Sequence, residues 1–367
     1  RQSHPQHRSP AQQDIKAWHL EAIKGCTDAG FQSHALMHLT ALLYEDSTQA
    51  DWWAHRARLY LAAGNQAQAL EDYSQALQFA EHEPKYLLAR GSLYGQLNQW
   101  ERTARDFKCL TEVCPDWAVA HQSLIRAHLH RGNTRLAESR LSLLLESQPE
   151  NHKLHSLRAG VRAEQRDWNQ AAADFTSAEN LGDRRAMGLA LHALVCLRKG
   201  DQQLHEKLSW QLLKQAEESN NPVEMAWGAW VATLSSTSEH AETALTLAKS
   251  CQSLMTERLG LTGFLRTIHA AALHRCGRSE EALEVLQESA GKGVQDWLWL
   301  AMIHHSLGQV KLGQRWLKKA FRWLKAPYKG RAKVLSLPWH QRAEIRILRE
   351  EAQALLDPDP ESGEVPN

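Results

Sequence analysis

The chain has 367 residues, 43% hydrophobic and 23% charged, which is ample for a continuous core and excludes a chain disordered throughout. Its 43 Lys and Arg against 42 Asp and Glu leave a formal net charge of +1, so no overall field draws it to nucleic acid or a membrane surface. No apolar run approaches the roughly 20 residues that cross a bilayer, which excludes an integral membrane helix.

Residues 1–15 open on Arg1-Gln2-Ser3-His4-Pro5, without an initiator Met or the apolar run of a signal peptide, and read as an unstructured segment of a processed or excised chain. From Lys16 a repeat sets in. Gly30, Gly64, Asn98, Gly132, Arg166 and Gly200 stand 34 residues apart, and all but Gly30 precede a polar residue suited to a turn. Five residues after each comes Ala35, Ala69, Thr103, Ala137, Ala171 and, in a degenerate last copy, His205. In the clearest copy, Trp53, Ala57, Tyr60 and Leu61 form one helical stripe and Ala69, Leu70, Tyr73, Ala76 and Leu77 a second. The unit is therefore a pair of antiparallel helices with facing apolar sides. Small residues at Ala57, Gly91, Ala159 and Ala193 allow close approach, Tyr73, Phe107 and Phe175 fill the space between units, and Pro115 and Pro149 stop the second helix.

This register resembles the tetratricopeptide repeat (TPR) family. The resemblance implies an all-α helical-hairpin solenoid, coiled as a right-handed superhelix, with six regular repeats over residues 16–219. After Gly200 the phase slips. A long helix to about Ser219 is stopped by Asn220-Asn221-Pro222, three irregular pairs fill 220–324, a basic loop and a capping helix fill 325–356, with that helix running from about His340 to Leu356, and 357–367 reads as a frayed tail. Gln295–Gly308, Gln314–Leu324 and Leu337–Leu356, together with Ala17–Leu39, are similar to the C-terminal TPR region of planctomycete-type bacterial proteins that carry WD repeats and often a Ser/Thr kinase domain upstream. That likeness implies a non-catalytic arm whose kinase or WD-repeat domain precedes it in the same polypeptide.

No Gly-rich phosphate loop, nucleophile elbow or paired-His helix with a Glu is present, so no enzyme is expected, nor any cofactor. Gly291-Lys292-Gly293 reads as a turn. The 20 His include His34 and His38, His152 and His155, and His304 and His305, but no Cys pair or carboxylate completes a zinc set, so no metal is expected. His19, His121 and His155 recur where Trp53 stands and read as packing or hydrogen-bonding groups. Most of the 14 Trp read as packing too. Six Cys without a Cys-x-x-Cys pair read as free thiols of a reducing, cytoplasmic compartment.

Two surfaces stand out. In such solenoids the first helices line a groove, and its facing positions include Lys24, Arg58, Ser92, Arg126, Gly160 and Leu194, with Lys85 and Lys153 beside them. Lys24, Arg58, Lys85, Arg126 and Lys153 are the candidate peptide-binding residues, suited to carboxylates of an acidic or C-terminal protein segment. The alternating Lys and Asn of the carboxylate clamp in chaperone-binding TPR proteins is not matched. The second surface, 311–333, has nine Lys or Arg, no acid, and interleaved aromatics. Helical spacing turns Trp316, Leu317, Ala320 and Leu324 inward and leaves Lys318, Lys319, Arg322 and Lys325 outside, either as a solvated face or as an anion or nucleic-acid site.

Overall fold

A computed structural model describes residues 10–236, 239–254, 262–288, 293–328, 331–332 and 337–356. The architecture is all-α, a succession of helical hairpins. In chain order the helices are α1 (Pro10–Asp28), α2 (Gln32–Glu45), α3 (Ala50–Ala62), α4 (Gln66–Phe79), α5 (Pro84–Gln96), α6 (Trp100–Val113), α7 (Ala118–His130) and α8 (Thr134–Ser147). They continue with α9 (His152–Glu164), α10 (Trp168–Asn180), α11 (Ala186–Lys199), α12 (Gln202–Ser219), α13 (Pro222–Thr233) and α14 (Ala241–Leu254). The last are α15 (Thr262–Arg275), α16 (Ser279–Glu288), α17 (Val294–Ser306), α18 (Val310–Lys325) and the closing helix α19 (Trp339–Leu356). A two-residue antiparallel pair, β1 (Pro327–Tyr328) with β2 (Arg331–Ala332), interrupts the basic stretch before α19.

Two compact units divide within α8, between Arg140 and Leu141. In the first, Ala57, Ala69, Tyr73, Ala76, Phe107 and Leu110 are buried in one cluster. In the second, Leu189, Leu194, Leu212, Trp230 and Val231 form one cluster, and Leu298, Trp299, Leu317, Leu348 and Leu356 belong to another.

The 34-residue register is a chain of identical helix stops. All six register residues adopt positive φ: Gly30 78°, Gly64 80°, Asn98 58°, Gly132 74°, Arg166 65° and Gly200 88°. The N–H of the following residue then donates to the carbonyl five positions back, as Asn65 does to Tyr60 at 2.8 Å and Asp167 to Arg162 at 2.9 Å. This satisfies carbonyls that a helix end leaves open. The same closure recurs beyond the regular repeats, from Arg278 to Leu273 and from Gln309 to His304. At Arg166 a side chain sits where only glycine is free of a Cβ penalty, so Arg166→Gly raises stability by about 1 kcal/mol, read as a higher urea midpoint. Gly91 marks a close approach, since a Cβ there would stand 3.1 Å from Asp106 Cβ and 3.2 Å from the Phe107 ring.

A polar device repeats alongside the apolar one. Arg56 holds Asp72 in two bonds of 2.7 and 2.8 Å, Arg90 holds Asp106 at 2.8 and 2.7 Å, and Arg158 holds Asp174 at 2.9 and 2.8 Å. Each Arg reaches from a first helix to the second helix of its own pair. Its remaining Nη1 donates to a hydroxyl on the preceding second helix, respectively Thr40, Ser74 and Ser142. The fourth copy has Leu124 and Arg140 at these positions.

The segment 1–15, expected to be unstructured, is helical from Pro10 onward, because proline suits the first turn of a helix, where no N–H is needed. Residues 1–9, 357–367 and the Gly291-Lys292 part of the expected turn lie outside the described residues. α12 ends at Ser219, Asn220 takes a left-handed conformation with φ 50°, and Pro222 opens α13.

Candidate functional site

The first helices of the amino-terminal unit are α1, α3, α5 and α7. They present Lys24, Arg58, Ser92 and Arg126 to solvent, all exposed. Lys24, Arg58 and Arg126 have no ion-pair partner among the described residues, whereas Lys85 is committed. Its Nζ lies 2.7 Å from Asp51 Oδ1, and the Tyr86 hydroxyl donates to the same oxygen at 2.6 Å. Hydrogen bonds from Lys85, then from Tyr86, hold the Asp51 carboxyl below its ordinary range, with Arg58 contributing at longer reach. Burial, then the bond to Asp51, pushes the Tyr86 phenol up to about 12.

Asp51 was not anticipated as part of this face. It occupies in one repeat the place that Lys85 occupies in the next, 34 residues on, so the register itself announces the pair. The face therefore alternates an internally neutralised pair with the unpaired guanidinium groups of Arg58 and Arg126. Lys153, on α9, is exposed and belongs to the carboxyl-terminal unit.

In that second unit the corresponding face is occupied by the chain itself. α19 is held by successive first helices: Arg342 donates to Glu164 of α9 at 2.6 Å and Arg198 of α11 to Glu350 at 2.8 Å. The Trp230 indole of α13 donates to Glu344 at 3.0 Å, and Arg275 of α15 donates to Glu351 at 2.7 Å. The Trp339 indole nitrogen stands 3.7 Å from where a Cβ on Gly160 would lie. Ile345, Leu348, Ala352 and Leu356 are buried in the cluster that includes Leu298 and Met302 of α17. The closing helix thus covers the last pair and reaches back over the inner faces of α9 to α15. Sequence periodicity announced the helix, but not the surface it covers, because the pattern of a cap and that of a groove-filling helix are alike.

On α18, Leu317, Ala320 and Leu324 are buried, Trp316 is half-buried, and Lys318, Lys319, Arg322 and Lys325 are exposed. The Lys319 ammonium lies 4.5 Å from both the Trp297 and Trp316 ring centroids, a cation–π arrangement. Lys318, Arg322 and Lys325 border a shallow depression with Phe321 and Ala326. Lys329 and Lys333 of the basic stretch lie outside the described residues.

Several of the histidines form bonds internal to the repeats. The His121 and His155 rings donate to the carbonyls of Pro115 at 2.7 Å and Pro149 at 2.8 Å, as the Trp53 indole does to Ser47 at 2.7 Å. His38 meets His19 at 2.9 Å and His304 meets Gln309 at 2.7 Å. Trp100 stacks on His130 at 3.8 Å. Among the described residues no three His, Cys, Asp or Glu side chains converge to hold a metal ion, and no helix is long and apolar enough to cross a membrane. All six cysteines are unpaired.

No family model matches the chain. A curated relative, a TPR repeat-containing thioredoxin from Arabidopsis thaliana, is 34% identical over 100 residues, which is 27% of this chain. The chain thus spans about a quarter of that relative's length, 26%. Among solved structures, the C-terminal part of a TPR repeat-containing protein from Cytophaga hutchinsonii is similar over 68% of this chain and 99% of its own, with TM-score 0.51 and 11% identity. The Naa15/Naa10 complex bound to HypK-THB is similar over 95% of this chain and 59% of that one, with TM-score 0.50 and 14% identity. At these identities the likeness is one of fold, and the fold is that of tetratricopeptide-type helix pairs.

Proposed function

We propose that the chain is a non-catalytic protein-interaction scaffold that holds an acidic peptide segment against the first helices of its amino-terminal unit, with Arg58 and Arg126 as the principal cations and Lys24 beside them. The observation that carries this reading is the contrast between the two units. In the second, first-helix faces already hold a helix, α19, through guanidinium–carboxylate pairs at Arg198 and Arg275. In the first, the same class of face is exposed, and among the described residues Arg58 and Arg126 have no carboxylate partner. Lys85, bound to Asp51, sets the register of an incoming chain more than it attracts one, and Lys153 is a secondary candidate on α9. A preformed helical face leaves the ordering cost to the partner segment. The similar Naa15/Naa10 structure, itself a complex, supports an assembly role. The resemblance of Gln295–Gly308, Gln314–Leu324, Leu337–Leu356 and Ala17–Leu39 to the C-terminal region of planctomycete-type WD-repeat and kinase proteins supports a place as an arm of a multidomain bacterial protein. Six unpaired thiols support a reducing, cytoplasmic setting.

Selection of a random peptide library on the intact chain tests this. Enriched peptides are acidic, and Arg58→Glu with Arg126→Glu weakens them by about a hundredfold while the unfolding midpoint stays put. Peptides without acidic residues, or equal binding to the variant, contradict the reading.

A second reading rests on the exposed Lys318, Arg322 and Lys325 beside Phe321, which suit an anionic partner such as single-stranded nucleic acid. It requires affinity that falls steeply with salt, and a flat titration removes it.

A further inference from the structure

Within the carboxyl-terminal unit, α13, α15, α17 and α19 line a half-open cavity of about 330 Å³, at the lower end of the range of small-molecule sites. Its apolar walls include Trp230, Trp299, Phe264 and Ile268, and its polar groups include Glu344 and Asp296. Among the described residues no Lys, Arg or His lines it. Both carboxyl groups are nine-tenths buried, Glu344 at 6% and Asp296 at 8% exposure.

Among the described residues only neutral donors reach them. Glu344 accepts from the Trp230 indole at 3.0 Å and from the Gln295 side chain. Asp296 accepts from the Thr267 hydroxyl at 2.5 Å and from the Gly293 N–H at 3.2 Å. The cation of this layer, Arg275, lies 4.9 Å from the Trp299 ring centroid and is bound to Glu351 on α19. His274, whose ring meets Trp299 edge-on at 6.0 Å, is kept neutral by burial, which pushes it down to about 4.

Two ionised carboxyl groups without a counter-charge, set among indole and phenyl faces, are costly unless one takes up a proton or a cation joins them. Aromatic faces attract the same class of ligand, more strongly when water is excluded. An anion is repelled, and a neutral apolar molecule gains nothing from the acids. We propose that this cavity binds a small organic cation, an alkylammonium whose charged nitrogen is held by Glu344 and Asp296 and whose alkyl groups lie on Trp230, Trp299 and Phe264. The site is separate from the peptide-binding face of the first unit and does not depend on it.

Calorimetric titration of the intact chain with choline, butylammonium and the uncharged isostere 3,3-dimethylbutan-1-ol tests the assignment. At least one cation binds with one-to-one stoichiometry, and about tenfold or more tighter than the isostere. Glu344→Gln and Asp296→Asn, which keep shape and remove charge, each weaken the cation by about tenfold or more with an unchanged circular dichroism spectrum. Phe264→Ala, at a residue 40% exposed, removes one wall without opening the core and keeps the test available should a carboxyl variant fail to fold. The charge reversals at Arg58 and Arg126 leave cation binding untouched. No heat with either cation up to millimolar concentration, equal binding of the isostere, or undiminished binding by the wall and carboxyl variants overturns the proposal.

Discussion

Asp106→Ala lowers stability by about 3 kcal/mol, far more than an ordinary surface substitution. Its carboxylate is 4% exposed, and it accepts two bonds from Arg90, whose side chain is 20% exposed and also donates to Ser74. Truncating the acid strands a largely buried guanidinium between three helices. The arginine cannot neutralise itself, and its side chain is largely buried, so it does not regain its hydration without disturbing the three helices. The fourth repeat shows how the same space is filled without the pair, with a fully buried Leu124 and with Arg140 at the outer position. The double variant Arg90→Leu, Asp106→Arg, which copies the Leu124 and half-buried Arg140 of the fourth repeat, therefore recovers to within about 1 kcal/mol of the parent, because no charge is left stranded in the interior. Urea denaturation of the three proteins decides it. If Asp106→Ala unfolds at the parent midpoint, the clamp contributes nothing. If the double variant is as weak as the single, the cost lies in packing and not in the stranded charge.

Glu344→Gln changes the pH dependence of stability by about 3 kcal/mol between acid and mildly alkaline solution. Burial, reinforced by the charge of Asp296, raises Glu344 from the ordinary 4.5 to about 7 in the folded chain, against the opposing bonds from Trp230 and Gln295. Between these two values the folded chain keeps a proton that the unfolded chain releases. The Glu344 contribution is accordingly most favourable at and below pH 4.5, falls as the pH rises, and levels off above about 7. Glutamine does not titrate, so the variant gains on the parent as the pH rises through this window. His274 has the opposite sign, since its stabilising neutral form is lost as the pH falls from 6.5 toward about 4. It is present in both proteins and cancels in the difference. Urea midpoints at about pH 5 and about pH 8 give the comparison. Parallel profiles for the two proteins contradict a buried, partly protonated Glu344.

Much of the fold was legible because the helix stop is a local device. A residue forced to positive φ is glycine wherever the chain allows, and Gly30, Gly64, Gly132 and Gly200 betray the period, with Asn98 and Arg166 carrying it at some strain. The apolar positions were legible for the same reason. The Arg–Asp clamp was equally periodic, at Arg56, Arg90 and Arg158 with Asp72, Asp106 and Asp174, yet charged residues on a helix read first as solvated surface. Only the folded chain separates a buried pair from an exposed one. The place of α19 was not legible at all. Glu344, Glu350 and Glu351 meet partners 114, 152 and 76 residues away, and no local pattern encodes contacts of that range. The cavity beside Glu344 shares this origin, since its lining comes from four separate helices.

Hydrogen–deuterium exchange of the intact chain with and without a library-selected acidic peptide tests the central claim most directly. The account predicts new protection on α3, α5 and α7, centred on the turns that carry Arg58 and Arg126, with α4, α6 and α18 unchanged. Protection confined to α18, or to the second helices α4 and α6, would place the partner elsewhere and contradict it.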